Sequence, residues 1–173
     1  MREELGHLCH PDGIERCKTR YIELFSSHLD QDPAAIPPIP AAHQFIEHLE
    51  DSDQYMFAVA TAGWSFTAEL KLTAAGFDFD DWILYSCSDY EYKKEAMKTT
   101  HQAARQKHGS DFDSVVYIGD SRSDMRFANE LGYDFLGRGD LYTQSNVWGV
   151  EGIQDFKDLR LVEGKIRRSV QTS

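Results

Sequence analysis

Short apolar runs alternate with longer segments of helical periodicity over most of the chain. The apolar runs are residues 55–60, 82–87, 115–118 and 133–136. The helical segments that follow the first three runs are residues 65–75, 94–108 and 124–131, and a glycine ends each of them. Continuous apolar runs of this length are typical of strands that are buried on both faces. The alternation therefore predicts an α/β fold in three layers, with a parallel sheet between helices.

A proline-rich segment separates this pattern from the first part of the chain. Four of the five prolines lie within residues 30–40, which excludes a helix interior there. Helical spacing predicts helices over 13–29 before this segment and over 41–50 after it, and another over 153–166 near the end. The proline-rich segment thus separates two helical stretches.

Composition and charge narrow the range of partners and compartments. The 173 residues include 18 Lys or Arg and 29 Asp or Glu, which gives a formal net charge of −11. Such an acidic chain repels nucleic-acid phosphates, so we expect no nucleic-acid partner. The chain has no apolar run of about 18 residues, which predicts no membrane association. The three cysteines are too few for a disulfide framework, and with a charged start they favour the reducing cytoplasm.

The residues that follow each predicted strand carry the candidate chemistry, because ligands of parallel sheets bind beyond the carboxyl ends of the strands. Thr61, Ala62 and Gly63 follow the first run. A hydroxyl and free backbone N–H groups at a strand end can bind a phosphate. The alternative interpretation is a tight turn in which Thr61 caps the next helix.

Two lysines and two aspartates follow the next two strands. Lys93 and Lys94 begin a helix, where the helix dipole disfavours cations, so they indicate either a functional site or a solvated pair. Asp120 and Asp124 follow the third run, and their spacing lets both carboxylates face one space above the sheet edge. Two such oxygen ligands suit Mg²⁺, whereas helix capping explains one aspartate but not the pair.

In this order, Thr61, Lys94 and the segment 119–124 resemble the second, third and fourth motifs of the haloacid dehalogenase-like (HAD) hydrolases. Residues 38–42 also resemble the Pro-x-Pro-Gly-Ala segment of that family, with Ala41 in place of its glycine. The resemblance implies a Rossmann-like HAD core with a parallel sheet over 36–173. It also identifies residues 1–35 as the remnant of a helical cap.

The same resemblance implies Mg²⁺-dependent hydrolysis of a phosphate monoester, with a small phosphorylated molecule as the partner. In the family an aspartate attacks phosphorus, and water then hydrolyses the aspartyl-phosphate. The implied phosphate-binding residues are Thr61, Ala62, Gly63 and Lys94, of which Thr61 and Lys94 are also catalytic, and the implied metal ligands are Asp120 and Asp124. Lys93 is the alternative to Lys94, while the substrate and the oligomeric state stay open.

The family's first motif, an Asp-x-Asp after a buried strand, does not occur where it is expected. Asp30 and Asp32 lie far enough upstream, but they follow a helical pattern. The family's first strand lies between the strands that carry the second and fourth motifs, so residues 55–60 and 115–118 are expected to lack a neighbour on one side. We therefore expect a truncated and inactive form. The alternative is a non-catalytic HAD-like domain that binds a partner or a phosphorylated ligand.

Overall fold

A computed structural model describes residues 11–32, 34–87, 93–144 and 149–171. The helices within these ranges are α1 (Pro11–Gln31), α2 (Ala42–Glu50), α3 (Ser65–Ala74), α4 (Lys93–His108), α5 (Arg122–Leu131), α6 (Asp140–Thr143) and α7 (Leu159–Gln171). The strands are β1 (Val59–Thr61), β2 (Leu84–Ser86), β3 (Val116–Gly119), β4 (Asp134–Arg138) and β5 (Gly152–Ile153). Part of the predicted cap segment, residues 1–10, lies outside the described residues.

The predicted α/β fold with parallel strands is confirmed, and one predicted helix is wrong. All the strand pairs are parallel, and four strands fall on or beside the predicted runs. The predicted helix over 153–166 is divided, because Ile153 pairs with Arg138 at the edge of the sheet. Asp158 then accepts a hydrogen bond from the backbone N–H of Leu161 at 2.9 Å, so α7 begins only after this capping side chain.

The strands form two small sheets instead of one. β1 pairs with β2, while β3, β4 and β5 pair in that order. Within the described ranges no ladder joins β1 to β3, so each of these strands has a neighbour on one side only. Within the described residues, the two strands thus each show an open side where the resemblance places a further strand.

Helix α4 fixes the direction of the two sheets relative to each other. Its first residue, Lys93, contacts Asp124 just beyond β3, and about two turns later His101 contacts the hydroxyl of Tyr133 just before β4. The connection from the end of β2 leads to the first residue of α4. The carboxyl ends of β1, β2 and β3 therefore lie at the same edge of the molecule, as the predicted fold requires.

Two apolar clusters cover opposite faces of the β3–β4 strands. On one face, α2 packs against the segment that leads into α7, with the rings of Phe45 and Phe156 stacked 4.5 Å apart. On the other face, Met97 of α4 lies with Ala128 of α5 and Phe135 of β4. The result is the helix–sheet–helix layering of a Rossmann-like core. Among the described helices, none combines the length and the apolar character that crossing a membrane requires.

Candidate active site

The two aspartates of the predicted metal site lie just beyond the carboxyl end of β3, with Asp120 in a tight loop and Asp124 in the first turn of α5. Ser121 caps α5, and its hydroxyl oxygen accepts from the backbone N–H of Asp124 at 3.1 Å. The Asp124 carboxylate accepts in return from the N–H groups of Ser121 and Asp120, at 3.2 and 3.3 Å. This reciprocal capping box holds the carboxylate of Asp124 in place directly over the strand end.

Gly119 allows Asp124 to lie against the end of the strand. A Cβ atom at residue 119 would be only 2.7 Å from the Cβ of Asp124 and 2.8 Å from its Oδ2. Asp124 itself is 2% exposed, so it has little room to move aside. The glycine before Asp120 is thus a steric requirement of the site.

Lys93 forms a largely buried ion pair with Asp124. Its Nζ lies 2.5 Å from Oδ1 of Asp124, and the two side chains are 19% and 3% exposed. Burial of the ammonium disfavours its charge, but Tyr117 and Asp124 outweigh that effect, so the pKa of Lys93 lies above its ordinary value. The lysine is therefore positively charged at neutral pH and points toward the loop after β3.

Lys94, the lysine assigned from the resemblance, points elsewhere. Its Nζ lies 2.8 Å from Oε2 of Glu130. The side chains of Lys94 and Glu130 are 34% and 43% exposed, so this ion pair lies at the surface. The resemblance assigns the contact with the site to Lys94, but in the structure Lys93 makes the contact with Asp124. Helical geometry explains the difference, because consecutive residues point about 100° apart around α4.

Tyr117 connects the site to the other sheet. Its hydroxyl donates to the carbonyl oxygen of Ala60 in β1 at 3.2 Å, and its ring centroid lies 5.5 Å from Nζ of Lys93. Burial raises the pKa of the Tyr117 hydroxyl, and the positive charge of Lys93 only partly offsets this effect. Sequence reasoning missed this residue because a tyrosine inside an apolar strand carries no signal that separates a site residue from core packing.

Asp120 is the more accessible carboxylate of the loop. Its Oδ2 accepts from Arg138 at 2.9 Å, and its side chain is 62% exposed. Among the described residues no cluster of three or more metal-ligating side chains occurs. Mg²⁺ needs only one or two protein carboxylates, since water and substrate oxygens complete its shell. Asp120 fits that role, whereas Lys93 and two backbone N–H groups already engage the carboxylate of Asp124.

Tyr142 of α6 contacts the loop that follows β3. Sequence reasoning missed this residue too. Its hydroxyl donates to the carbonyl oxygen of Ser121 at 2.9 Å. The ring is buried against Gly137 of β4, where a Cβ would meet its Cγ at 2.1 Å. The glycine inside the strand was the available signal, because such residues often mark a close approach of another group.

Thr61, Ala62 and Gly63 form a turn at the carboxyl end of β1. The hydroxyl oxygen of Thr61 accepts from the N–H of Gly63 at 3.2 Å, while Ala62 and Gly63 are exposed. A hydroxyl can accept one bond and still donate its own proton. This turn follows Ala60, whose carbonyl oxygen accepts from Tyr117, so it lies at the same edge as Lys93 and Asp120.

The two upstream aspartates belong to the end of α1. Asp30 lies in the last turn of this helix, and Asp32 accepts from the N–H of Ala34 at 3.1 Å in a local turn. Both side chains are exposed, and neither follows a strand. This placement is that of helix-ending residues in a proline-rich turn.

A cleft of about 580 Å³ runs between the two sheets and opens at this edge. Lys93, Asp120, Asp124 and Arg138 line one end of it, and apolar side chains line much of the rest. Lys93 and the accessible carboxylate of Asp120 thus line one cleft, whereas the hydroxyl-bearing turn of Thr61, Ala62 and Gly63 lies at the same edge but outside that lining. Such a set can bind an oxyanion together with a divalent cation.

Two comparisons with known proteins bear on this arrangement. No curated protein matches the sequence significantly. The family model of the haloacid dehalogenase-like hydrolases matches residues 2–137, which is most of the chain and includes every site residue named above except Arg138 and Tyr142. The chain therefore belongs to the haloacid dehalogenase-like hydrolase family.

Proposed function

We propose that this chain carries the phosphate- and magnesium-binding part of a phosphate monoester hydrolase and does not turn substrate over by itself. The observation that supports this most is the buried pair of Lys93 and Asp124, which faces the cleft beside the accessible carboxylate of Asp120. A small phosphorylated molecule is the substrate class that this set of charges fits.

Each residue has a separate part in the proposal. Lys93 neutralises charge on the bound phosphoryl group, and Asp124 positions that lysine through their 2.5 Å contact. Thr61 donates its hydroxyl proton to a phosphoryl oxygen, with the backbone of Ala62 and Gly63 beside it. Asp120 holds the Mg²⁺, which when bound offsets the negative charge between carboxylate and phosphate. Thr61 and Lys93 thus take the catalytic roles, with Lys93 in place of Lys94.

The proposed inactivity rests on the absence of an attacking group in the described ranges. Apart from Asp120 and Asp124, no carboxylate lines the cleft between the sheets in that part of the chain. Asp124 is held by three hydrogen bonds, so it is a poor nucleophile. Stabilisation of a transferring phosphoryl group without an attacking group gives binding and no turnover.

Calorimetric titration of inorganic phosphate in the presence and absence of Mg²⁺ tests the binding. We expect Asp120→Asn to remove the Mg²⁺ dependence and Lys93→Met to weaken phosphate binding at least about tenfold. Asp113→Asn is the matched control, because Asp113 is an exposed aspartate near the opposite edge. Phosphate affinity that is independent of Mg²⁺ and equal in all four proteins contradicts the proposal.

The second candidate function, a non-catalytic domain that binds a phosphorylated ligand, is favoured by the same absence of an attacking carboxylate. Hydrolysis of p-nitrophenyl phosphate by the purified chain tests the lack of turnover that both candidate functions share. Phosphate release that persists in the double variant Asp30→Asn and Asp32→Asn contradicts both the proposed inactivity and the non-catalytic alternative. It would also exclude Asp30 and Asp32 as the attacking groups.

A further inference from the structure

Aromatic side chains connect α1 to the turn that follows β1. Trp64 comes directly after Gly63, the last residue of that turn. Its ring meets the ring of Tyr21 in α1 edge to face, with the centroids 6.1 Å apart and the planes at 84°. Three residues of chain span at most about 11 Å, so the Cα atoms of Thr61 and Trp64 lie within that distance. Two aromatic rings therefore lie beside the turn that carries the proposed phosphate-binding hydroxyl.

The backbone of Trp64 is fixed relative to this turn. Its carbonyl oxygen accepts from the hydroxyl of Thr67 at 2.7 Å and from the backbone N–H groups of Thr67 and Ala68, both at 3.0 Å. A Cβ at residue 63 would lie 3.3 Å from Oγ1 of Thr67 and 3.6 Å from Oγ1 of Thr61, so Gly63 fits closely between these two threonines. The start of α3 thus holds Trp64 in position, which lowers the entropy cost of binding a ligand against it.

The rings of Tyr21 and Trp64, called the aromatic pair below, keep at least one face without a ring contact. Phe25 stacks on Tyr21 and Phe66 stacks on Trp64, in both cases with the ring centroids 5.6 Å apart. Each stack uses one face of the pair, and the edge-to-face contact between Tyr21 and Trp64 uses one more face and one edge. Within the described residues, at most three of the four faces are therefore covered by rings. Tyr21 is 38% exposed, so the pair is accessible from solvent.

A ligand bound to the turn can also reach the aromatic pair. Ala62 and Gly63 are exposed and carry at most a methyl group. No bulky side chain of the turn thus separates the hydroxyl of Thr61 from Trp64. Aromatic side chains attract other aromatic rings by offset stacking or by edge-to-face contact. A ligand ring attached close to a phosphate at Thr61 would therefore lie next to side chains that favour it.

We propose that Tyr21 and Trp64 bind an aromatic ring of the phosphorylated ligand. The substrate class then narrows to phosphate monoesters that carry an aromatic ring system close to phosphorus, which are aryl phosphates and nucleotides. The inference rests on the proposed function, because the position of the phosphate at Thr61 comes from there. Ring contacts of this kind should raise the affinity about threefold to tenfold over that of a non-aromatic group of the same size.

Calorimetric titration of the chain with two pairs of esters in the presence of Mg²⁺ measures this gain. Phenyl phosphate is compared with cyclohexyl phosphate, and adenosine 5′-monophosphate is compared with ribose 5-phosphate. We expect the aromatic member to bind at least about threefold more tightly in one pair or in both. The pair with the larger gain identifies the source of the ring, a simple aryl group or a nucleobase.

Substitution of Tyr21 tests the contribution of the aromatic pair at an exposed position. Tyr21→Leu should reduce the gain to less than about twofold, whereas Tyr21→Phe should keep it, because the phenyl ring is retained. Neither variant should change the affinity for inorganic phosphate, which has no ring. Phe79→Leu is the matched control and should keep the full gain, because Phe79 precedes β2 at the opposite edge and contacts Trp82 instead.

The indole N–H signals of the wild-type chain show where the ring binds without any variant. The chain has three tryptophans, and each gives one such signal in a ¹⁵N-resolved NMR spectrum. Phenyl phosphate should shift the signal of Trp64 more than cyclohexyl phosphate does, because an aromatic ring adds a ring-current shift. The signal of Trp82, whose indole N–H donates to Glu50 at 2.9 Å, should not move. Its loss from the spectrum of Trp64→Phe assigns the signal of Trp64.

Two results would overturn this inference and leave the proposed function intact. The first is equal affinity within both pairs of esters while inorganic phosphate still binds in a Mg²⁺-dependent manner. The second is a gain that persists in Tyr21→Leu while the indole signal of Trp64 does not move, which would place the ring elsewhere. Inorganic phosphate that shows no Mg²⁺-dependent binding would overturn the proposed function and this inference with it.

Discussion

Replacing Gly119 with alanine tests whether steric space at the end of β3 supports the whole site. The added Cβ would lie 2.7, 2.8 and 2.9 Å from the Cβ, Oδ2 and Cγ atoms of Asp124, all closer than such atoms approach one another. Asp124 would have to leave a position in which it is 2% exposed and bonded to Lys93 and two backbone N–H groups. Breaking a buried ion pair costs about 3–5 kcal/mol.

Part of that cost is offset in the unfolded state. Alanine lowers the conformational entropy of the unfolded chain relative to glycine, which stabilises the fold by about 0.4–1 kcal/mol. We therefore expect Gly119→Ala to lower the free energy of unfolding by about 2–4 kcal/mol. Urea denaturation followed by circular dichroism measures this change. Calorimetric titration then shows whether the variant has lost Mg²⁺-dependent phosphate binding.

Gly164→Ala is the matched control for this experiment. Gly164 lies inside α7, where an added Cβ meets only the end of the Arg168 side chain at 3.4 Å. Alanine is a better helix former than glycine by about 1 kcal/mol, so this variant should be slightly more stable than the wild type. If Gly119→Ala proved as stable as Gly164→Ala, the reasoning about the space for Asp124 would be refuted.

Three further predictions concern the same edge of the sheet. Lys93→Met should lower the free energy of unfolding by about 2–4 kcal/mol, whereas Lys94→Met should change it by less than about 1 kcal/mol. Urea denaturation measures both changes, and equal losses of stability would contradict the assignment of Lys93. Because the folded-state pKa of Lys93 lies above its ordinary value of 10.5, its stabilisation is complete below that pH and is lost as the pH rises through the folded-state pKa. Thermal melts should therefore fall more steeply above pH 10.5 in the wild type than in Lys93→Met, and parallel curves would exclude this effect. Gly137→Ala should lower the free energy of unfolding by at least about 2 kcal/mol, because its Cβ would lie 2.1 Å from the ring of Tyr142. Tyr142→Phe should lower it by about 1 kcal/mol, because the variant loses one hydrogen bond.

The strands and most of the helices could be predicted because each has a local signal in the sequence. Gly76, Gly109 and Gly132 mark the ends of three helices, and all three adopt positive φ there. The helix predicted over 153–166 failed because the pairing of Ile153 with Arg138 is not local. Apolar periodicity cannot separate a two-residue edge strand from the first turn of a helix.

The site could be predicted to the level of residue type and order, and less well to the level of side-chain contacts. Gly119, Asp120 and Asp124 lie between the last residue of β3 and the first turn of α5, so their sequence spacing predicts that they meet. The choice between Lys93 and Lys94 depends on how α4 is rotated about its axis, and packing of Met97 sets this rotation. Tyr117 and Tyr142 reach the site across strands and could not be separated from core residues.

Helix α4 explains how the two halves of the site stay together although β1 and β3 share no ladder. Lys93 joins it to Asp124 in the first turn of α5, Met97 joins it to α5 and β4, and the hydroxyl oxygen of Thr100 lies 3.5 Å from the carbonyl oxygen of Val59. His101 adds a contact with Tyr133 at 2.9 Å. These contacts extend over more than two turns and involve both sheets, so the helix sets the distance between the sheets. The spacing of β1 and β3 is therefore set by side-chain packing and not, within the described residues, by a backbone ladder.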